Sequence, residues 1–227
     1  NLAGAIQYQK AIGKHMLKRY RQRLNEIIMK LSNRIASLLL IVLIYGCSQS
    51  LIISTNIPSP LVDQVDNIRV LVNYDENIIN YQFKSTNIEK NESPWEIEFN
   101  DSHKKLFDKI LNGFFNNSIQ MESNSEPLND ANYIVINIKL DKFEFLTPSL
   151  ASNDKYSVWL KYDILLTNTE REYSEKWNIT GYGEQETASL NQNQALINAI
   201  DLALRDTGAN LTIKMEEEME SIVSAIT

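Results

Sequence analysis

The sequence predicts an α+β fold: an antiparallel sheet with two helices packed on it, the longer one C-terminal. Three observations predict it. Three long segments between residues 133 and 183 alternate apolar and polar side chains, the period of a half-buried strand. Two other segments, 101–116 and from about residue 190 onward, repeat apolar residues at three- and four-residue spacing, the period of a helix. The order of strands, helix, strand, three-stranded meander and long helix is satisfied by one sheet with both helices on one face.

Each element has its own warrant. Residues 67–73 place Ile68, Val70 and Val72 on one side, and residues 78–84 could return as a partner strand after the turn Asp75-Glu76-Asn77. Residues 95–99 alternate Trp95, Ile97 and Phe99 against Glu96 and Glu98. In the first helix Leu106, Phe107, Ile110, Leu111 and Phe114 form one apolar face, and Asp101 or Ser102 can cap its start. A short strand is expected over 118–122 and a polar loop over 123–132. Residues 133–145 hold Ile134, Ile136, Ile138 and Leu140 in one parity, then switch to Phe143 and Phe145. A period of two cannot change face without an extra residue, so a bulge is expected near Asp141-Lys142. Residues 156–167 and 172–183 follow, joined by the polar turn 168–171. The last helix carries Ile197, Ile200, Leu204, Leu211 and Met215. Gly208 costs it about 1 kcal/mol relative to Ala, or allows a bend. Glu216, Glu217, Glu218 and Glu220 oppose the helix dipole, so fraying is expected there.

The charge divides the chain. Its 227 residues carry a net charge of −7. Residues 1–47 hold 8 Lys/Arg against 1 Asp/Glu, while 48–227 hold 14 against 28. A change of sign at one point marks a targeting segment joined to a domain. Residues 29–34 (MKLSNR) are a positive n-region, and the 11 residues 35–45 (IASLLLIVLIY) are an apolar run. That run is too short to cross ~30 Å of hydrocarbon but suits the core of a secretory signal. It ends at Ile44-Tyr45-Gly46-Cys47, and Cys47 is the only cysteine.

This junction resembles the bacterial lipobox, with Tyr45 where a small residue is usual. The resemblance implies cleavage between Gly46 and Cys47, acylation of Cys47 (palmitate among the chains), and, through Ser48, sorting to the periplasmic face of the outer membrane. Two or three acyl chains anchor stably where one binds marginally. The implied organisation is a basic extension over 1–28, a signal peptide over 29–46, the lipidated Cys47 with a tether to residue 66, and a periplasmic α+β domain over 67–227. The extension is expected to be an over-extended start site; a longer n-region from Met16 and a basic amphipathic helix on anionic lipid are the alternatives. In a bacterial lipoprotein the Asn-X-Ser/Thr triplets at Asn91, Asn100, Asn116, Asn178 and Asn210 imply no glycosylation.

No nucleotide-binding loop, HExxH or nucleophile elbow is present. Beyond residue 47 the one imidazole is His103, whose neighbours Lys104 and Lys105 point to a solvated surface. Glu96 with Glu98 is the nearest approach to a glycosidase pair, and Glu216–Glu220 to a cation site; both read better as solvated faces. No catalytic residue, metal or cofactor is therefore expected beyond the lipid on Cys47. The acidic domain would repel nucleic acid. Tyr133, Trp159 and Tyr182 fall on the parity opposite the apolar face of their strands and are the candidate partner surface.

In element order the chain from Cys47 to about Met215 resembles small envelope lipoproteins: the lipopolysaccharide-assembly lipoprotein LptE, the YajG-type lipoproteins and auxiliary lipoproteins of ABC transport systems. That resemblance implies a non-enzymatic binding or scaffold module anchored in the membrane, with an envelope protein as partner. A lipid or hydrophobic-ligand carrier with a pocket between sheet and long helix is the alternative, and a glycan-acting hydrolase a weaker one. A net charge of −14 over 48–227 argues against binding lipopolysaccharide phosphates and for a basic partner face.

Overall fold

The computed structural model describes Met29 and residues 49–66, 68–85, 94–116, 118–120, 132–187 and 191–226. The chain divides into two units, Asn1–Cys47 and Ser48–Thr227. Gly46, Cys47 and all of the signal segment except Met29 lie outside the described residues, as does the expected loop over 123–132 apart from Asn132. The described strands and long helices all belong to the second unit.

These elements are β1 (Gln49–Ile52), β2 (Arg69–Tyr74), β3 (Gln82–Lys84), β4 (Trp95–Glu98), α1 (Ser102–Phe114), β5 (Ser118–Gln120), β6 (Tyr133–Leu146), α2 (Pro148–Ala151), β7 (Lys155–Asn168), β8 (Tyr173–Glu186) and α3 (Gln192–Ile226). The fold is α+β, and the longest helix is C-terminal. The main sheet has five strands in the order β5-β2-β6-β7-β8, and a second sheet has three in the order β1-β4-β3.

The meander stands as its alternation predicts. β6 and β7, then β7 and β8, pair antiparallel, and the register shifts between Leu140 and Lys142, where the parity switch demands a bulge. Asn168 closes the β7–β8 turn by accepting the N–H groups of Glu170 and Arg171 on its Oδ1, each at 3.0 Å. The other half of the sheet departs from expectation. β2 pairs parallel with both β5 and β6, so the sheet is mixed. Residues 78–84 do not return beside β2. The chain turns over 76–80, Ile78 is fully buried, and β3 pairs antiparallel with β4 in the second sheet.

The expected tether is also corrected. β1 pairs parallel with β4, Leu51, Ile53 and Ile57 are buried, and Val65 bridges to Phe115. Pro60 packs so tightly on α1 that a Cβ at Gly113 would enter its ring. Thr55 donates its hydroxyl hydrogen to Asp201 of α3. Residues 49–66 are thus part of the fold. Leu51, Ile53, Ile57, Val62 and Val65 gain more from packing on the core than the chain loses by being ordered.

The apolar face of the main sheet is covered by α1, α3 and the small sheet together. α3 runs antiparallel to β8 and approaches it backbone to backbone. A Cβ at Gly181 would strike the Ala203 carbonyl and Thr207, and one at Gly183 the Ala199 carbonyl. Ala195, Ala199 and Ala203 are fully buried in this seam. Gly208 faces Leu106 and Ile110 of α1, so its use is close helix–helix contact. α3 does not fray at its glutamates. Ile222 and Ile226 are fully buried and hold the last turns, outweighing a dipole effect of a fraction of a kcal/mol. At α1, neither expected cap bonds the helix. Asp101 makes no side-chain cap, and the Ser102 hydroxyl donates to the Ile53 carbonyl at 3.0 Å.

Candidate functional site

Both α1 and α3 lie on one side of the main sheet, so among the described residues its opposite face is open. Along β7 this face carries Ser157, Trp159, Lys161, Asp163, Leu165 and Thr167. Their cross-strand neighbours include Glu144, Lys142 and Lys139 on β6, and Tyr182, Thr180 and Lys176 on β8. The face divides into an aromatic part and a charged part.

Trp159 and Tyr182 sit directly opposite one another on β7 and β8 and are 40% and 41% exposed. Their ring centroids are 5.2 Å apart and the planes are inclined at 45°. The platform is held in place. The Tyr182 hydroxyl donates to Glu184 at 2.7 Å, and Glu184 pairs with Lys155 at 2.5 Å. Lys155 and the Tyr182 hydroxyl hold the Glu184 carboxyl below the ordinary carboxylate range. Behind the ring, α3 covers the free edge of β8. Asp206 accepts the Tyr182 N–H, and Asn210 donates to the Thr180 carbonyl, both at 2.9 Å. At Thr180 and Tyr182 the edge of β8 is therefore closed to backbone pairing with another chain.

Next to the aromatic pair lies a lattice of alternating charge. Lys161 pairs with Asp141 at 2.8 Å, Lys176 with Asp163 at 2.8 Å, and Lys142 with Glu144 at 2.7 Å. Lys161 holds the Asp141 carboxyl below its usual range, with Lys139 and Lys176 adding to the effect. The bulge creates this cluster, because it turns both Asp141 and Lys142 outward.

Of the three residues singled out by parity, the structure brings Trp159 and Tyr182 together and removes Tyr133. Tyr133 is only 7% exposed. The β7–β8 turn folds over it: its hydroxyl lies 3.1 Å from the Thr169 hydroxyl, and Asn168 donates to its carbonyl at 2.7 Å. Parity assigns a face but cannot report a loop that covers it. The lysine lattice is legible in the sequence only as alternation within single strands, not as a cluster.

His103 is corrected outright. It is fully buried, stacked on Phe99 at 4.4 Å, with Tyr81 and Tyr162 edge-on at 5.8 and 5.7 Å. Burial pushes its pKa down to about 3. It falls on the same apolar face as Phe107, Ile110 and Phe114, a signal that Lys104 and Lys105 obscure. Such a sealed imidazole cannot reach a substrate in this conformation. Glu96 pairs with Lys84 at 2.5 Å. Among the described residues no group of His, Cys, Asp and Glu converges as a metal site would.

Where the alternative carrier reading places a pocket between sheet and long helix, the seam at Gly181 and Gly183 of β8 brings the two layers into contact. Two grooves among the described residues lie elsewhere. One of about 360 Å³ is bounded by residues 57–62, α1 and α3; another of about 300 Å³ is lined by Thr55, Lys105, Asp108 and Lys109. No helix among the described residues is long and apolar enough to cross a membrane.

No protein-family model and no curated protein matches the chain. Solved structures with some likeness include a Xanthomonas campestris protein of family DUF330, at 12% identity and a TM-score of 0.48, covering 76% of this chain and 99% of that one. A Caulobacter crescentus protein provisionally assigned as a lipoprotein has 9% identity and a TM-score of 0.31, covering 45% and 72%. A hypothetical protein of Chlamydia trachomatis has 7% identity and a TM-score of 0.34, covering 76% and 97%. Function must therefore be read from the chain's own residues.

Proposed function

We propose that this protein is a non-enzymatic, lipid-anchored binding module of the bacterial cell envelope. Acylated Cys47 would hold it in the outer membrane, and the open face of the main sheet would dock a protein partner. The observation that carries the binding reading is the Trp159–Tyr182 pair. Two large aromatic rings, each about 40% exposed, occupy a face that no element among the described residues covers, and the Tyr182 ring is held by its hydroxyl's bond to Glu184. Exposed aromatic clusters with a polar surround are what binding hot spots are made of. The Lys–Asp lattice supplies a rim of both signs. The acidic remainder of residues 48–227 favours a partner with a basic face. The lipid-anchor reading rests on the lipobox-like run ending at Cys47.

The test is affinity purification of the full-length chain, tagged after Thr227, from native membranes. The wild type should bring down a stoichiometric companion. Trp159→Ala with Tyr182→Ala should lose it while keeping the wild-type thermal midpoint. The same companion at the same yield with the double variant would remove the open face from the binding role. Lipid without companions would favour a carrier instead.

A further inference from the structure

We infer that the tip of the β6–β7 hairpin, built around α2, sits in the headgroup layer of the membrane that holds the Cys47 lipid, so that the domain lies on the bilayer and does not stand off it. The inference rests on the lipid-anchor reading. Four observations lead to it.

The first is chain length. Only Ser48 separates Cys47 from β1, and two residues of chain reach about 7 Å. The domain therefore begins at the anchor.

The second is direction. Gln49 is in register with Trp95, whose ring lies 6.1 Å from Phe145 and 6.2 Å from Tyr156. β1 then runs away from this end, and Ile53 accepts the Ser102 hydroxyl at the start of α1. The anchored end of β1 is thus the end where β6 finishes, β7 starts and α2 lies.

The third is composition. Residues 145–153 (FLTPSLASN) contain no charged side chain, in a domain that carries 42 charges over 48–227. A tip without carboxylates meets anionic headgroups without repulsion, and the carboxylates nearest in sequence, Glu144 and Asp154, stand at its two ends.

The fourth is exposure. Leu146 is 39% exposed, no residue of α2 is buried, and Leu150 is half-buried. The tip is also pre-shaped. The Thr147 side chain, itself buried, accepts the Leu150 N–H, and Ser152 ends the turn in the left-handed region. Leu146 at the end of β6 and the half-buried Leu150 on this short ordered turn can bury further into an interface without loss of backbone entropy.

The experiment uses the full-length lipidated chain, in which Cys47 is acylated and does not react with thiol probes. Leu150→Cys carries an environment-sensitive fluorophore, and Glu172→Cys, in the turn at the opposite end of β7, carries the same label as control. Each protein is reconstituted into phosphatidylethanolamine–phosphatidylglycerol vesicles containing a doxyl-labelled lipid. The expected result is a blue-shifted emission and several-fold stronger quenching at position 150 than at 172. Equal, weak quenching at both positions in protein that floats with the vesicles would overturn the seating and leave the anchor standing. Protein that fails to float would overturn the anchor and the seating together.

Discussion

His103 Nδ1 lies 2.6 Å from the Tyr162 hydroxyl, with both side chains fully buried. Tyr162 is the donor. The reverse arrangement would strand both the phenolic hydrogen and Nε2, whereas this one strands Nε2 alone. The imidazole is neutral, and its folded-state pKa of about 3 lies below the 6.5 of an unfolded chain. The unfolded state therefore takes up the proton first. The contribution of His103 to stability is complete above about pH 6.5 and is lost as the pH falls toward 3, at up to about 1.4 kcal/mol per pH unit. Denaturant titrations should show a loss of about 2–3 kcal/mol between pH 6.5 and 4.5, before most carboxylates titrate. His103→Phe should flatten that window even if it lowers stability at neutral pH by stranding the Tyr162 hydroxyl. An unchanged slope in the variant would mean that another group controls acid stability.

Gly181 and Gly208 both pack against a neighbouring element, with opposite consequences. At Gly181 a methyl meets backbone, the Ala203 carbonyl. Gly181→Ala should cost roughly 3 kcal/mol or more, because sheet and helix must separate. At Gly208 the nearest atom is the Leu106 methyl at 3.1 Å, which can turn aside. Gly208→Ala also gains helix propensity, so its net effect should stay within about 1 kcal/mol. Urea midpoints of the two variants check the contrast.

Ile222 anchors the last turns of α3. Ile222→Ala should cost about 2–4 kcal/mol, as cavities in packed cores do. It should also raise amide exchange over the glutamate-rich segment 216–220. A negligible change would restore the frayed helix end that the glutamates alone imply.

Trp159→Ala should leave folding nearly untouched, within about 1 kcal/mol, because the ring faces outward. A thermal midpoint lowered by many degrees would show that the ring is structural, and would weaken its use as a binding platform.

β7 is legible in the sequence because 11 residues in phase, Tyr156 to Leu166, leave one choice of face, and in β6 the parity switch at Asp141-Lys142 leaves one place for the bulge. The short strands are not. β1 has four residues and β3 has three, too few for a period to show. The parallel pairing of β2 with β5 and β6 depends on contacts about 50 to 65 residues away in sequence, which no local pattern encodes. Residues 49–66 resemble a tether because of Pro58 and Pro60. Proline excludes helix but not burial, and Ile53 and Ile57 are buried. At the candidate site, alternation picks out Trp159 and Tyr182, and a covering turn defeats it at Tyr133.

The proposed function needs the domain to be held at the membrane before its open face can meet a partner, so the state of Cys47 decides most. Intact-mass and peptide mass spectrometry of the protein from native membranes reads that state directly, with Cys47→Ala as control. The expected result is a mature chain that begins at Cys47 and carries acyl chains on it, with the variant retained in unprocessed form. A chain with residues 29–46 still attached and Cys47 unmodified would contradict the lipid anchor.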